Sequence, residues 1–326
     1  MTGSAKGCGT QLRKSVRDRQ TALKAKVVLP LAVSLILWAS AFPGIRVGLE
    51  VYSPEHLAAL RFLVASTALA IYAAITRIRL PALIDLPAVF LAGGAGITVY
   101  HLLLNIGELS VSAGAASFVI STVPIFTAIL AAVFLNDRLP AVGWLGIGLS
   151  LFGVGLLTAG DSRGMVIDPR VFLILISAMG GAVYIVLQKR YLKKYSPLEF
   201  ISYTIWAGTL LLLVFSRGLI EAVQFAPFRA TAIVFYLGLF PAAISYVMWA
   251  RVLAEWSASK AATALFLVPI LSLVISWVWL SEVPNVFGVV GGVLTLTGVR
   301  LVRKSGSEAH VCNRSMRVHD HIESGA

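Results

Sequence analysis

Two stretches of the chain, STVPIFTAILAAVFLNDRLPAVGWLGIGLSLFGVGLL at 121–157 and FLVPILSLVISWVWLSEVPNVFGVVGGVLTLTGVRLV at 266–302, follow one pattern. At an offset of 145 positions, Pro124 meets Pro269, Leu135 meets Leu280 and Asp137 meets Glu282, while Gly143, Gly146 and Gly153 meet Gly288, Gly291 and Gly298. Further upstream, Tyr52-Ser53-Pro54 recurs as Tyr195-Ser196-Pro197 at an offset of 143, so the two copies differ in length by two residues near their middle. Self-similarity at a fixed offset marks a duplicated unit.

Working outward, 58% of the 326 residues are apolar and 13% charged, with a mean hydropathy of +0.87. A soluble globular domain carries roughly 25% charged residues, so a soluble enzyme is excluded. At about 20 apolar residues per bilayer crossing, the apolar runs predict ten spans at roughly 27–47, 56–76, 86–106, 112–135, 141–159, 170–190, 198–219, 230–250, 258–280 and 284–302. The repeats then cover 27–159 and 170–302, with five spans each, between polar tails at 1–26 and 303–326 that are expected to be disordered. Because five is odd, the second copy enters the membrane from the opposite side. The expected fold is an all-α integral membrane protein of ten transmembrane helices in two inverted five-helix repeats. The first span is too long, and too far from the start, for a simple cleaved signal peptide, and is expected to remain in the mature protein.

The formal charge of +12 has a topological explanation. With the N-terminus in the cytoplasm, 21 of the 27 Lys and Arg residues face inward; Arg46, Arg163, Arg170, Arg217 and Arg229 face outward, and Arg61 lies within a span. The positive-inside rule therefore favours an even number of spans with both termini cytoplasmic, in the plasma (inner) membrane. The excess charge suits an anionic cytoplasmic leaflet, and no nucleic-acid partner is called for.

Several motifs resemble one family. Trp38-Ala39-Ser40-Ala41-Phe42 lies in the first span, and Ser53-Pro54 is followed by Ala59-Leu60-Arg61-Phe62. Alanine-rich starts lead to proline-containing spans, Ala113-Gly114-Ala115-Ala116 to Pro124 and Ala258-Ser259-Lys260-Ala261-Ala262 to Pro269, which end in the acidic Asp137 and Glu282. Over roughly 27–302 the chain is similar to EamA-type permeases of the drug/metabolite transporter superfamily. It departs from them in reading Asn136-Asp137-Arg138 where a Gly-Glu pair is more usual, and Ser281 where the second copy would carry that Gly. The resemblance implies a ten-helix carrier, often an exporter of amino acids or other small metabolites, with its substrate in a central cavity.

Polar and helix-breaking residues at mid-span are the candidates for that cavity, because lipid offers them no partner. His101 and Asn105 are four apart on one helix face, with Tyr100 beside them. Trp38, Tyr184, Tyr203, Trp206, Tyr246 and Trp249 are aromatic candidates, the alternative for each being packing or interfacial anchoring, which is how Trp277 and Trp279 read. Arg61 is the one clear charge inside a span. It binds a substrate carboxylate or gates the outer mouth on one reading, and snorkels or bonds a helix end on the other. Pro124 and Pro269 would free the carbonyls of Ile120 and Leu265 in a cavity or hinge, or form kinks re-satisfied by Ser121, Thr122 and Thr263. Glu108 and Glu255 at span ends read as solvated. The glycine sets of the fifth and tenth spans suit close packing within the chain or, alternatively, a homodimer contact.

Cys8 and Cys312 stand in the polar tails, and His310, Cys312, His319 and His321 match no familiar metal spacing, so neither disulfide, metal nor cofactor is expected. No Gly-Lys pair occurs, which excludes a P-loop ATPase within the chain. A secondary transporter that moves a small metabolite, first an amino acid or related zwitterion, is the expected function, with export the expected direction. No acidic residue lies at mid-span, so proton coupling is either weak or depends on His101. The rival classes are an integral-membrane enzyme, for which no acid/base or metal constellation is assembled, and a non-transporting scaffold.

Overall fold

The computed structural model describes residues 4–135, 141–161, 168–256, 258, 261, 263–281, 286–298 and 300–301, and among them every regular element is helical. The helices are α1 (Ser4–Leu49), α2 (Pro54–Thr76), α3 (Leu86–Gly93), α4 (Tyr100–Gly107), α5 (Ala113–Ile120), α6 (Val123–Leu135) and α7 (Ala141–Asp161). The second half supplies α8 (Arg170–Tyr191), α9 (Pro197–Leu212), α10 (Leu219–Phe225), α11 (Phe228–Leu237), α12 (Ser245–Glu255), α13 (Leu267–Leu280) and α14 (Val286–Gly298).

Seven helical runs are long and apolar enough to cross a membrane: Val27–Leu49, Pro54–Thr76, Leu83–Gly107, Ala113–Leu130, Arg170–Tyr191, Pro197–Phe215 and Phe228–Glu255. Ala141–Gly153, Leu267–Leu280 and Val286–Gly298 are shorter apolar helices. The chain is thus a multi-pass membrane protein. Helix α1 begins at Ser4, so the polar segment expected to be a disordered tail runs helically into the first span. That segment is rich in Lys, Arg, Gln and Ala, all good helix formers, and holds no proline before Pro30. Asp137, Glu282, His310, Cys312, His319 and His321, and the tail at 303–326, lie outside the described residues.

The recurring Tyr-Ser-Pro is a helix start. Ser53 caps α2 by accepting from His56 N, and Ser196 caps α9 by accepting from Glu199 N at 3.3 Å, while Glu199 accepts from Ser196 N at 2.9 Å to complete a capping box. Proline follows at the first helical position, where its missing N–H costs little.

Three of the helical runs change geometry at mid-course. A π-helical turn at Gly94–Val99 joins α3 to α4, and another at Gly238–Ile244 joins α11 to α12. Such turns recur at functional sites because the extra residue shifts the register of the side chains beyond them. At Pro124 the chain does not kink but breaks: α5 stops at Ile120, Ser121 and Thr122 form a turn, and Pro124 is the second residue of α6. Ser121 Oγ donates to Phe118 O at 2.5 Å and Thr122 Oγ1 to Val119 O at 2.7 Å, which closes the end of α5. Pro269 stands third in α13, after a 3₁₀ turn at Thr263–Phe266.

Packing gathers most of the helices into two groups, bridged by α5, which packs on α8, α1 and α13. Helix α8 packs on α4, α5 and α6, and α1 packs on α11, α12 and α13. Helices α2 and α9 pack on each other, with α9 also against the first π turn and α2 against the second. Several cross-chain bonds join residues at the offsets seen in the sequence. Ser66 Oγ and Thr209 Oγ1, 143 positions apart, lie at 2.7 Å, and Ser150 Oγ donates to Thr295 O, 145 positions away, at 3.0 Å. Ser34 Oγ donates to Ser245 O at 3.2 Å, as Ser177 Oγ donates to Tyr100 O at 2.7 Å.

The glycines of α7 and α14 serve this packing. A Cβ on Gly153 would stand 2.5 Å from Thr295 N and 2.6 Å from Gly291 O, and one on Gly298 would stand 2.6 Å from Ser150 N. These glycines let the two backbones meet within the chain, whereas Gly148 faces open space.

Candidate functional site

Between the two groups of helices lies a cavity of about 90 Å³. From the α4–α6 and α8 side it is lined by Tyr100, His101, Ser117, Ser121, Gly181 and Tyr184, and from the α1 and α11–α13 side by Trp38, Phe42, Tyr246, Trp249 and Val268, with Arg61 reaching in from α2. Seven of the ten polar and aromatic candidates read from the sequence, Trp38, Arg61, Tyr100, His101, Tyr184, Tyr246 and Trp249, therefore share one lining.

The polar centre of the lining is a chain of three side chains. Arg61 is 1% exposed, with Nη1 at 3.4 Å from His101 Nδ1, and His101 Nε2 lies 2.9 Å from Tyr246 OH. A guanidinium can only donate, so His101 Nδ1 accepts and the neutral ring carries its hydrogen on Nε2, which donates to Tyr246. His101 and Tyr246 are 145 positions apart, and each is the second residue after a π turn, so the same local register aims both at the centre. Arg61 Nε has no hydrogen-bond partner among the described residues, and none of those residues places a carboxylate in ion-pair contact with the guanidinium. The snorkelling reading does not describe this side chain: it lies fully inside the bundle, with its guanidinium carbon 5.5 Å from the centre of the Phe62 ring.

Aromatic rings form the rest of the wall. Trp38 meets Tyr246 edge-on at 5.5 Å between centroids and Trp249 at 5.2 Å, and Tyr184 meets Tyr246 at 6.0 Å. Trp38 Nε1 donates to Pro241 O inside the second π turn at 3.1 Å, so an unwound backbone carbonyl holds the indole in place. Two glycines clear space for the rings. A Cβ on Gly96 would overlap Tyr184, and one on Gly181 would stand 3.0 Å from the Tyr100 ring. Sequence periodicity alone gave no sign of Gly96, Gly181 or Ser117, since nothing in a linear pattern says which small residue faces a cavity.

Three of those candidates lie elsewhere. Asn105 points along α4 away from the cavity, with Nδ2 donating to Pro54 O at 2.9 Å at the start of α2. Trp206 Nε1 donates to Ser66 O at 3.2 Å in the α2–α9 contact. Tyr203, also away from the cavity, donates its hydroxyl to Arg79 O. Pro124 and Pro269 are buried but do not line the cavity, although their neighbours Val123 and Val268 do. Glu108, expected to be solvated, is fully buried, because the end of α4 packs on α8 and α2 and is covered by Arg46 of α1, which bonds Glu108 O. Glu255 is exposed as expected.

Among the described residues the cavity wall carries one cation, Arg61, set among aromatic rings and hydroxyls. The chain belongs to the EamA-like transporter family, whose model matches it twice, over residues 25–159 and 169–304. It is 44% identical over 274 residues to an uncharacterized transporter, YdfC, of Bacillus subtilis (strain 168), covering 84% of this chain and 90% of that protein. It is 38% identical over 280 residues, 86% of this chain and 94% of the relative, to a probable terminal-alkyne amino-acid exporter of Streptantibioticus cattleyicolor. It is 24% identical to a probable amino-acid metabolite efflux pump of Escherichia coli (strain K12), over 83% of this chain and 92% of that one. One solved crystal structure superposes with a TM-score of 0.61 over 85% of this chain and 96% of its own, at 19% identity, which is a likeness of fold.

Proposed function

We propose that the chain is a secondary carrier that exports a small zwitterionic metabolite, an amino acid or a close relative, across the plasma membrane by alternating access. The observation that carries this reading is Arg61: a buried cation on the cavity wall with an unmatched donor is suited to a substrate carboxylate, which it grips as a planar fork. The ammonium end then meets the Tyr hydroxyls and the faces of Trp38 and Trp249. The names of the Streptantibioticus and Escherichia relatives support an amino-acid-like cargo and the outward direction.

In this account the chain crosses the membrane ten times, as two inverted five-helix repeats with both termini in the cytoplasm. The three shorter apolar helices complete the count, and the matched family segments and the bonds between residues 143 and 145 apart support the pairing of the halves. Any proton that travels with the substrate is held at His101, the titratable ring that joins Arg61 to Tyr246.

The test is flux into proteoliposomes of the purified protein, with a trapped pH-sensitive dye and a panel of zwitterions, amines, carboxylates, sugars and nucleotides. Saturable flux confined to zwitterions is the expected result, and equal flux of sugars or nucleotides contradicts the reading. In the same vesicles, His101→Gln is expected to abolish substrate-driven proton movement. Unchanged proton movement removes His101 from the pathway.

A further inference from the structure

The cavity is tied at both ends of the molecule by one device used twice. Arg46 near the end of α1 donates from Nη1 to Glu108 O at 2.5 Å, just past the last turn of α4. Lys189 near the end of α8 donates from Nζ to Leu253 O at 2.7 Å and Trp256 O at 2.8 Å, with Ala254 O at 3.5 Å, where α12 ends. The carbonyls at a helix C-terminus lack intrahelical donors and carry the negative end of the dipole, so a cation is their fitting partner. The two cations stand 143 positions apart and their acceptors Glu108 and Leu253 stand 145 apart, the offsets that relate the two halves of the chain.

Each tie joins the two groups of helices that enclose the cavity. Arg46 belongs to α1, which packs with α11–α13, and its acceptor follows α4 in the other group. Lys189 belongs to α8, which packs with α4–α6, and its acceptors end α12. The ties lie at opposite ends, because the last turn of α4 abuts the first turns of α8: a Cβ on Gly107 would meet Ile174 and the carbonyl of Arg170. Lys189 is thus a helix length away from the Arg46 tie.

We propose that Arg46 and Lys189 are the two end latches of the transport cycle, Arg46 holding the extracellular mouth and Lys189 the cytoplasmic one. This rests on the alternating-access reading and adds to it the residues that hold each mouth. One latch releases its helix end while the other stays in place; both are formed in this structure. Loss of a latch favours the conformation open on its own side.

The experiment uses the full chain with Cys8 and Cys312 replaced by serine and with Ser121→Cys as the single thiol, since Ser121 lines the cavity. Labelling by a membrane-impermeant maleimide is followed in right-side-out and inside-out vesicles, on protein that elutes as one monodisperse species. Arg46→Gln is expected to raise labelling from outside at least fivefold and lower it from inside, and Lys189→Gln to do the reverse. Arg46→Lys and Lys189→Arg, which change reach but keep the charge, are expected to shift labelling less and in the same sense. They stand in where a glutamine variant does not accumulate. Labelling that shows no side preference in any variant overturns the latches. Side-selective opening without closure at the far end supports the latches and overturns alternating access instead.

Discussion

Arg61→Gln is expected to lower the specific flux of a zwitterionic substrate about 100-fold. Removing one member of a buried charged hydrogen-bonded pair costs about 2–5 kcal/mol, and each 1.4 kcal/mol or so is tenfold in a binding constant. Arg61 is 1% exposed on the cavity wall, with Nε unmatched among the described residues, and on the proposed reading it takes the anion that enters with the substrate. Glutamine keeps a hydrogen-bonding head but neither the charge nor the fork. Arg61→Lys is expected to recover only part of the flux, because an ammonium is a point charge on a shorter reach. The control is the matching amine, identical except for the carboxylate, whose slower flux is expected to be the same in both proteins. If zwitterion and amine fall together, Arg61 holds the fold rather than the cargo.

Substitution of Gly93 or Gly238 is expected to produce a large loss of stability. A Cβ on Gly238 would stand 2.5 Å from Arg61 O and 2.7 Å from Val64 Cβ, and one on Gly93 would stand 2.5 Å from Thr204 O and 2.8 Å from Gly208 N. In both cases the obstacle is backbone of the neighbouring helix, which cannot rotate away as a side chain would. Alanine at either position is expected to cost about 1–3 kcal/mol through overpacking, and valine to prevent accumulation of folded protein. Gly148→Ala is the comparison: nothing lies within 4 Å of its Cβ position, and alanine there gains up to about 1 kcal/mol of helix propensity. Thermal unfolding followed by size-exclusion chromatography in detergent ranks the three. A Gly238→Ala protein as stable as Gly148→Ala contradicts the close approach of α2 and the second π turn. Gly238→Ala is also expected to slow transport, because the backbone it displaces carries Arg61.

How much of this was legible in the sequence depends on the range over which a signal acts. Helix positions were legible because a bilayer fixes the length of each apolar run, and Ser53-Pro54 and Ser196-Pro197 mark their starts by local capping chemistry. The cavity was partly legible: a polar or aromatic residue in mid-span must face protein, and that argument found Arg61, His101 and Tyr246. It could not separate them from Asn105 and Trp206, whose polar atoms bond the backbone of a neighbouring helix instead. Nor could it foresee that Pro124 opens a new helix rather than bending an old one, since both place a proline among apolar residues. Arg46 and Lys189 read as span-end charges that report topology, and their bonds to helix ends are long-range contacts that no linear pattern carries. Gly96 and Gly181 owe their importance to the rings of Tyr184 and Tyr100 from other helices.

The most direct test of the central claim is counterflow. Proteoliposomes preloaded with an excess of the unlabelled zwitterion selected by the flux panel are diluted into a trace of the labelled form, and the internal label is followed in time. A carrier with one cavity that faces the two sides in turn is predicted to show label rising transiently above its equilibrium level, and Arg61→Gln to abolish the overshoot. A monotonic approach to equilibrium, with wild-type flux otherwise intact, would contradict alternating access and point to a continuous pore.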